Sequence, residues 1–198
     1  MTEKTDHKFW HEDGNIIYCV DGTLYKIHRY FLKGSSLDIT LPRNKDSMDE
    51  GLTPDNPITL SGVEKSDFEA LLEVLYQTPM APSDALPIKI LVSALEQASK
   101  WDFEEVARNI SLNLQRREHK ELNDLVAVIA CCATHSSLFS KAFFLEMFYQ
   151  ICNHTGRFSS EFIADLNPHL LSAIMEGREI VREATTGKWL NAVRGVVG

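Results

Sequence analysis

The first feature of the sequence is a pair of short β-forming runs separated by a turn dipeptide. Residues 16–20 are rich in β-branched and aromatic side chains, and residues 23–27 alternate between polar and apolar positions. The dipeptide Asp21-Gly22 between them suits a two-residue turn in which both residues have positive φ. The pattern therefore predicts a β-hairpin. Residues 57–60 form another β-prone run, which can add a third strand to that hairpin.

The residues that follow the hairpin break its alternation. His28 to Leu32 is an aromatic and basic cluster that suits a short helix, and Gly34 is placed to end it in the left-handed conformation. Residues 42–57 are rich in Pro, Asn, Asp and Gly, which predicts a polar loop. A short helix and a loop are thus predicted to separate the second strand from the third.

From residue 66 onward the apolar spacing is helical. Ser66 and Glu69 match a capping box, in which a hydroxyl and a carboxylate accept hydrogen bonds from amides at the start of a helix. Apolar side chains recur at i, i+3, i+4 and i+7, which are Phe68, Leu71, Leu72 and Leu75. The spacing predicts a buried helix from Asp67 to about Gln77.

Further helices are predicted along the rest of the chain. Pro87 suits the first turn of the next helix, and Asp102, with Glu105 three residues later, is predicted to cap the one after it. The apolar faces of these two helices are Ile88, Leu91, Val92, Leu95 and Ala98, closed by Trp101, and then Phe103, Val106, Ala107, Ile110 and Leu114. The later helices are predicted at about 123–134, 137–152, 160–166 and from 167 onward.

The order of these elements predicts the fold class. A few short strands with a helix between them, followed by helices alone, indicate an α+β domain with a helical extension. We expect the domain at residues 9–115 and the all-helical extension at 116–183, after a flexible amino terminus at 1–8. Residues 184–198 contain glycines and small residues, and we expect them to form a loosely docked or disordered tail.

Charge and cysteine content narrow the classes of function. The formal net charge of −8 and the sequence pI near 5.4 disfavour direct binding to nucleic acid or anionic membranes. The four cysteines do not resemble a disulfide framework, so we expect a reducing, intracellular compartment, either cytoplasmic or nuclear. The most apolar run, Leu125 to Ala133, is too short to span a bilayer, and the amino terminus lacks the apolar core of a signal peptide. These features predict a soluble protein.

Candidate metal and catalytic residues are sparse. Three cysteines and two histidines could meet between neighbouring helices: Cys131, Cys132, His135, Cys152 and His154. Their spacing matches no compact zinc module, and we interpret the cysteines as small core residues of packed helices. The sequence also lacks a glycine-rich phosphate loop, a paired-carboxylate motif and a Gly-x-Ser-x-Gly elbow. We therefore expect no catalytic residue, no cofactor and no bound metal.

The amino-terminal segment, residues 12–32, reads Glu-Asp-Gly-Asn-Ile-Ile-Tyr-Cys-Val-Asp-Gly-Thr-Leu-Tyr-Lys-Ile-His-Arg-Tyr-Phe-Leu. It resembles the opening of BTB/POZ domains, especially the expanded set found in mushroom-forming fungi, in which a hairpin leads into a His-Arg or His-Lys helix. The resemblance continues at Ser35-Ser36 and at residues 57–60, 67–76 and 91–114. It covers about residues 9–115. It implies the BTB/POZ fold, a short three-stranded sheet flanked by helices.

The resemblance implies a non-catalytic protein-interaction module that acts through self-association and partner binding. It suggests a homodimer formed through residues 28–37, with the third to fifth helices left for a different protein partner. The interface residues that it suggests are His28, Arg29, Tyr30, Phe31, Leu32, Leu37, Tyr76, Trp101 and Phe103. We expect His28 to have a structural role, in which it bonds a backbone group and fixes the helix start after the strand.

Two narrower roles stay open at this point. A substrate adaptor for a cullin-type ubiquitin ligase would use Tyr76, the loop to Pro87 and residues 101–106. A transcription-associated scaffold would act through protein partners, because no zinc finger or basic region accompanies the domain. In either role we expect no direct contact with nucleic acid or a membrane.

Overall fold

The computed structural model describes residues 8–39, 50–77, 85–154, 156–158, 160, 163 and 166–197, and for residues 39 and 186–197 it describes the backbone alone. Within these residues the chain has three β-strands, seven α-helices and two 3-10 turns, so it belongs to the α+β class. The chain divides into two compact units, residues 1–114 and 115–198. The sheet lies in the first unit.

The sheet confirms the predicted hairpin and its third strand. β1 (Ile16–Val20) pairs antiparallel with β2 (Thr23–Ile27), and the turn residues Asp21 and Gly22 have φ of +48° and +74°. Positive φ at both turn positions matches the right-handed twist of the flanking strands. β3 (Ile58–Leu60) pairs parallel with the other edge of β1, which gives the strand order β2-β1-β3. β1 is therefore the central strand of the three.

A 3-10 turn follows β2, as the sequence predicted for the segment after the hairpin. It spans Arg29–Leu32, with His28 before it, and Gly34 ends the segment with φ of +83°. α1 (Ser36–Ile39) comes next. Residues 40–49, which include much of the predicted polar loop, lie outside the described residues.

α2 (Lys65–Leu75) begins earlier than the sequence predicted, and the predicted capping box is wrong. Glu64 occupies the N-cap position without a side-chain hydrogen bond, and Ser66 already lies in the first turn. Glu69 instead accepts a 3.0 Å hydrogen bond from the hydroxyl group of Tyr25 in β2. Because a buried tyrosine hydroxyl needs a partner, this contact with the sheet takes the carboxylate that the capping box would have used.

α3 (Ile88–Lys100) and α4 (Glu104–Arg116) follow. The predicted cap of α4 is wrong, because the helix begins at Glu104 and Asp102 stands before it with φ of +59°. An N-cap residue has an extended backbone, which this left-handed conformation excludes. The core of the first unit includes side chains from the sheet, from α2, α3 and α4 and from the connection between α3 and α4: Ile16, Ile17, Tyr18, Val20, Tyr25, Ile27, Phe68, Leu71, Leu72, Leu91, Leu95, Ala98, Trp101, Phe103, Ile110 and Leu114.

The second unit is helical in its described residues. It contains α5 (Leu122–Thr134), a 3-10 turn at Ser136–Leu138, α6 (Lys141–Asn153) and α7 (Pro168–Val197). α6 begins later than predicted because Ser140 caps it, its Oγ accepting a 3.2 Å hydrogen bond from the amide of Phe143. The helix predicted at 160–166 lies largely outside the described residues. The backbone of α7 continues through the segment from residue 184, for which the sequence suggested a loosely docked or disordered tail.

α6 and α7 approach each other closely at Gly177. A Cβ atom at this position would lie 2.6 Å from Sγ of Cys152 and 3.2 Å from Cε1 of Phe148. One residue further along, the guanidinium group of Arg178 donates hydrogen bonds to the carbonyls of His154 at 2.8 Å and Gly156 at 2.9 Å. The small residue therefore permits the contact between the helices, and the arginine ties α7 to the end of α6.

Candidate protein-interaction site

The nine predicted interface residues divide into a buried group and a more exposed group. Leu32, Leu37, Trp101 and Phe103 have exposed fractions of 1%, 2%, 8% and 6%. These four side chains belong to the core. The half-buried residues are His28, Phe31 and Tyr76, and the exposed ones are Arg29 and Tyr30. The second group exposes more of its surface to solvent than the first.

The exposed residues lie on the 3-10 turn Arg29–Leu32, which we name the interface turn. Tyr30 is 70% exposed. The ammonium group of Lys33 lies 5.0 Å from the centroid of its ring, and the ring of Phe31 meets it edge-on at 5.8 Å. The tyrosine is therefore an aromatic surface feature with two neighbours that restrict its motion.

Arg29 is held at both its backbone and its side chain. Its amide donates a 2.8 Å hydrogen bond to Oδ1 of Asn15, which stands just before β1. Its Nε lies 3.4 Å from Oδ1 of Asp38 in α1. These contacts fix the interface turn to the hairpin on one side and to α1 on the other.

Two hydrogen bonds join His28 to Tyr76 at the end of α2. The hydroxyl oxygen of Tyr76 lies 2.9 Å from the amide nitrogen of His28 and 2.9 Å from its Nδ1. Because this oxygen accepts the amide hydrogen, the hydroxyl group can donate its own hydrogen to Nδ1. The proton of a neutral imidazole is then on Nε2, which lies 3.2 Å from Oδ2 of Asp13. A continuous hydrogen-bonded chain thus runs from Tyr76 through His28 to Asp13.

Aromatic rings pack around this chain of hydrogen bonds. The ring of Tyr76 stacks on that of His11 at 4.6 Å and 14°, and it meets Phe31 at 4.6 Å. The imidazoles of His11 and His28 lie 5.2 Å apart. We name His11, Asp13, His28, Phe31 and Tyr76 the histidine cluster. Because Phe31 belongs to the interface turn and His28 precedes it, the cluster fixes the position of that turn.

Charge states in the cluster follow from burial and from these contacts. Burial lowers the pKa of His11, and the nearby His28 lowers it further, whereas Asp13 acts in the opposite direction. The hydrogen bond from His28 holds the pKa of Asp13 below its ordinary value. Burial raises the pKa of Tyr76. At neutral pH the cluster therefore contains a neutral His11, a charged Asp13 and a protonated Tyr76.

The sequence identified His28 and Tyr76 but not the residues that join them. His28 bonds two side chains, Tyr76 and Asp13, and not the backbone group that the sequence suggested. His11 reaches the cluster because its amide donates a 2.9 Å hydrogen bond to the carbonyl of Lys26 in β2. No local spacing pattern connects these residues, so the pairing of the amino-terminal segment with β2 and the contacts of Tyr76 at the end of α2 bring them together.

The cysteines behave as the sequence suggested, as small core residues. Cys131, Cys132 and Cys152 are 1%, 2% and 5% exposed. Burial raises the pKa of Cys132 to about 12, which disfavours the thiolate form that metals bind. Among the described residues no group of three or more His, Cys, Asp or Glu side chains is arranged to hold a metal ion.

A cavity of about 270 Å³ lies in the second unit, between the α4–α5 connection and α6. Its lining contains the apolar residues Phe143 and Met147 and several ionisable side chains, which are Arg117, Glu118, His119, Lys120 and Glu146. Glu118 and Lys120 pair at 2.8 Å. This contact lowers the pKa of Glu118 and raises that of Lys120, so it favours the charged form of each. Both pKa values therefore move away from neutral pH, whereas a general acid or base needs a pKa near the pH at which it acts.

The cullin-adaptor role would need Tyr76, the loop that leads to Pro87, and residues 101–106 on the surface. Many of these residues are either buried or outside the described part of the chain. Trp101 and Phe103 are buried, and residues 78–84 lie outside the described part of the chain. The hydroxyl group of Tyr76 is engaged by His28. No described feature favours this role over general protein binding.

Comparisons with known proteins leave the family open. No family model matches the chain, and no curated protein matches its sequence. The resemblance to BTB/POZ domains therefore depends on the motifs in residues 9–115 alone. In the part of the chain that the structure describes, no helix combines the length and the apolar character needed to cross a membrane.

Proposed function

We propose that this protein is a non-catalytic protein-interaction module of the BTB/POZ type and that its first partner is a second copy of itself. The observation that carries the proposal is Tyr30, an aromatic side chain that is 70% exposed on a turn held by hydrogen bonds at His28 and Arg29. Four free cysteines fit a reducing compartment, cytoplasmic or nuclear, as the place where it acts.

An exposed tyrosine on a fixed turn suits a binding site for physical reasons. Tyrosine offers a large apolar ring and a polar hydroxyl, and it loses little conformational freedom when it binds. Its neighbours Lys33 and Phe31 already restrict the ring, which lowers the entropy lost on association. In a two-fold dimer the same patch serves both copies, so the interface turn of one copy would face that of the other.

The order of elements supports the family assignment within this proposal. A hairpin leads into a 3-10 turn that starts after His28, and β3 then joins the sheet. α2, α3 and α4 follow and close the first unit. This is the order that the BTB/POZ resemblance implies for residues 9–115.

Self-association is tested by sedimentation velocity over a range of protein concentrations. We expect the wild-type chain to show a reversible increase in sedimentation coefficient, and Tyr30→Ala to weaken the dimer. A tyrosine at the centre of an interface is worth about 2 kcal/mol or more, which is about a 30-fold increase in Kd.

Tyr149→Ala is a matched control, because Tyr149 lies on α6 in the second unit and is 64% exposed. It should leave Kd unchanged. A chain that stays monomeric at high micromolar concentration would contradict the self-association proposal. Equal effects of the two substitutions would contradict the assignment of the interface to the Arg29–Leu32 turn.

A further inference from the structure

The histidine cluster contains two imidazoles and a single carboxylate. Nε2 of His28 lies 3.2 Å from Oδ2 of Asp13, and the ring of His11 is 5.2 Å from that of His28. Nε2 of His11 is buried and has no hydrogen-bond partner among the described residues. The one carboxylate is already bonded to His28, so the cluster can compensate one positive charge but not two.

Among the residues that the structure describes, the charged neighbours of His11 offer no second acceptor for the hydrogen bond of a protonated imidazole. The face of the Tyr76 ring stacks on the imidazole, and it would attract a cation weakly but cannot accept the hydrogen bond that a buried N–H needs. The ammonium group of Lys26 in β2 is directed to the carbonyl of Glu12. One turn before Tyr76 on α2, Glu73 is paired with Lys8. Of these two charged residues, Lys26 is therefore positive and Glu73 is already paired.

We propose that the histidine cluster is an acid-sensitive latch, in which uptake of a proton by His11 releases the interface turn and weakens self-association. The inference rests on the proposed function for its effect on the dimer, but the opening of the latch is independent of it. The release reaches the turn because Tyr76 contacts three members of the cluster at once. It stacks on His11, bonds the amide that precedes the turn, and packs against Phe31.

The pH range follows from the direction of the shift. The pKa of His11 in the closed cluster lies below its ordinary value of 6.5, so the open form binds the proton more readily. The contacts of the latch are fully stabilising above about pH 6.5, where His11 is neutral in both the closed and the open form. They weaken as the pH falls below this value. Since one proton is taken up, the opening constant rises by up to about tenfold per pH unit within the window.

Hydrogen exchange measured by mass spectrometry tests the opening itself. The amides of residues 28–34 are compared at about pH 7.5 and about pH 5.5. The comparison uses protection factors, because these divide out the intrinsic pH dependence of the exchange rate. The test variant is His11→Phe, which keeps a ring on Tyr76 and cannot bind a proton. His11→Gln is made beside it, so that the test stands if one variant fails to fold. His169→Gln, an exposed position at the start of α7, is the control.

We expect protection of residues 28–34 to fall several-fold in acid in the wild type and the control, and to stay constant in the His11 variants. The dimer Kd, measured by sedimentation at the same pH values, should rise in parallel only where protection falls. Acid also brings the chain near its pI of 5.4, but that effect is shared by every variant. Equal loss of protection in wild type and His11 variants overturns the proposal. Acid-dependent opening in a chain that never dimerises supports the latch and removes the proposed self-association.

Discussion

Tyr76→Phe removes the hydroxyl group that joins α2 to the interface turn and keeps the aromatic ring. In the native chain that oxygen lies 2.9 Å from both the amide nitrogen and Nδ1 of His28. Both groups lose their partner in the variant, while the stacking on His11 and the tilted ring contact with Phe31 are retained. The substitution therefore separates the hydrogen bonds of the cluster from its ring packing.

The expected loss follows from these two hydrogen bonds. Each is worth about 0.5–1.5 kcal/mol net, and the site is only partly buried, so water can satisfy some of the released groups. We expect the free energy of unfolding to fall by about 2 kcal/mol. With a urea m value of about 2 kcal/mol/M, the unfolding midpoint followed by circular dichroism should fall by about 1 M.

Two further variants make this measurement decisive. Tyr149→Phe removes an exposed hydroxyl from α6 and should change the free energy of unfolding by less than about 0.5 kcal/mol. A double-mutant cycle of Tyr76→Phe with His28→Ala should show a coupling of about 1 kcal/mol. A loss below about 0.5 kcal/mol for Tyr76→Phe, or independent effects in the cycle, would refute the reasoning, because ring packing alone would then hold the turn.

Two other predictions concern the second unit. Gly177→Ala places a Cβ atom 2.6 Å from Sγ of Cys152. The overpacking costs about 1–3 kcal/mol and alanine gains roughly 1 kcal/mol in a helix, so the substitution should lower the Tm. Adding Cys152→Ala should restore part of the lost Tm, and a double variant without any recovery would contradict the contact. Burial of Cys131, Cys132 and Cys152 should make iodoacetamide label the native chain mainly at Cys19 at about pH 8, as mass spectrometry would show. Labelling of all four thiols at the rate of the urea-unfolded chain would contradict the buried positions.

Local patterns predicted the elements whose geometry depends on neighbours in sequence. The hairpin was predicted with its bounds because Asp21-Gly22 supplies positive φ and the flanking runs favour strands. The capping box of α2 was predicted wrongly because Glu69 bonds Tyr25 in β2, a contact that no local pattern contains. The start of α6 was different, since Ser140 is a local signal that the sequence did carry.

The candidate site was predicted less completely than the fold. Residues 28–31 and Tyr76 were predicted for the interface and are exposed or half-buried, whereas Leu32, Leu37, Trp101 and Phe103 were predicted with them although the structure buries their side chains. An apolar residue in a candidate interface and one in a core have the same character in the sequence. The amount of surface each exposes depends on which elements pack over it.

The sequence by itself determined the hairpin, the period of the helices, the α+β class and the acidic charge, because these depend on residue type and short-range spacing. Only the tertiary structure decided that His11, Asp13, His28 and Tyr76 form one cluster and that Tyr30 stands exposed beside it. The physical reason is that hydrogen bonds and ring contacts act over a few ångströms. Residues distant in the chain meet only when β2 and α2 have packed together.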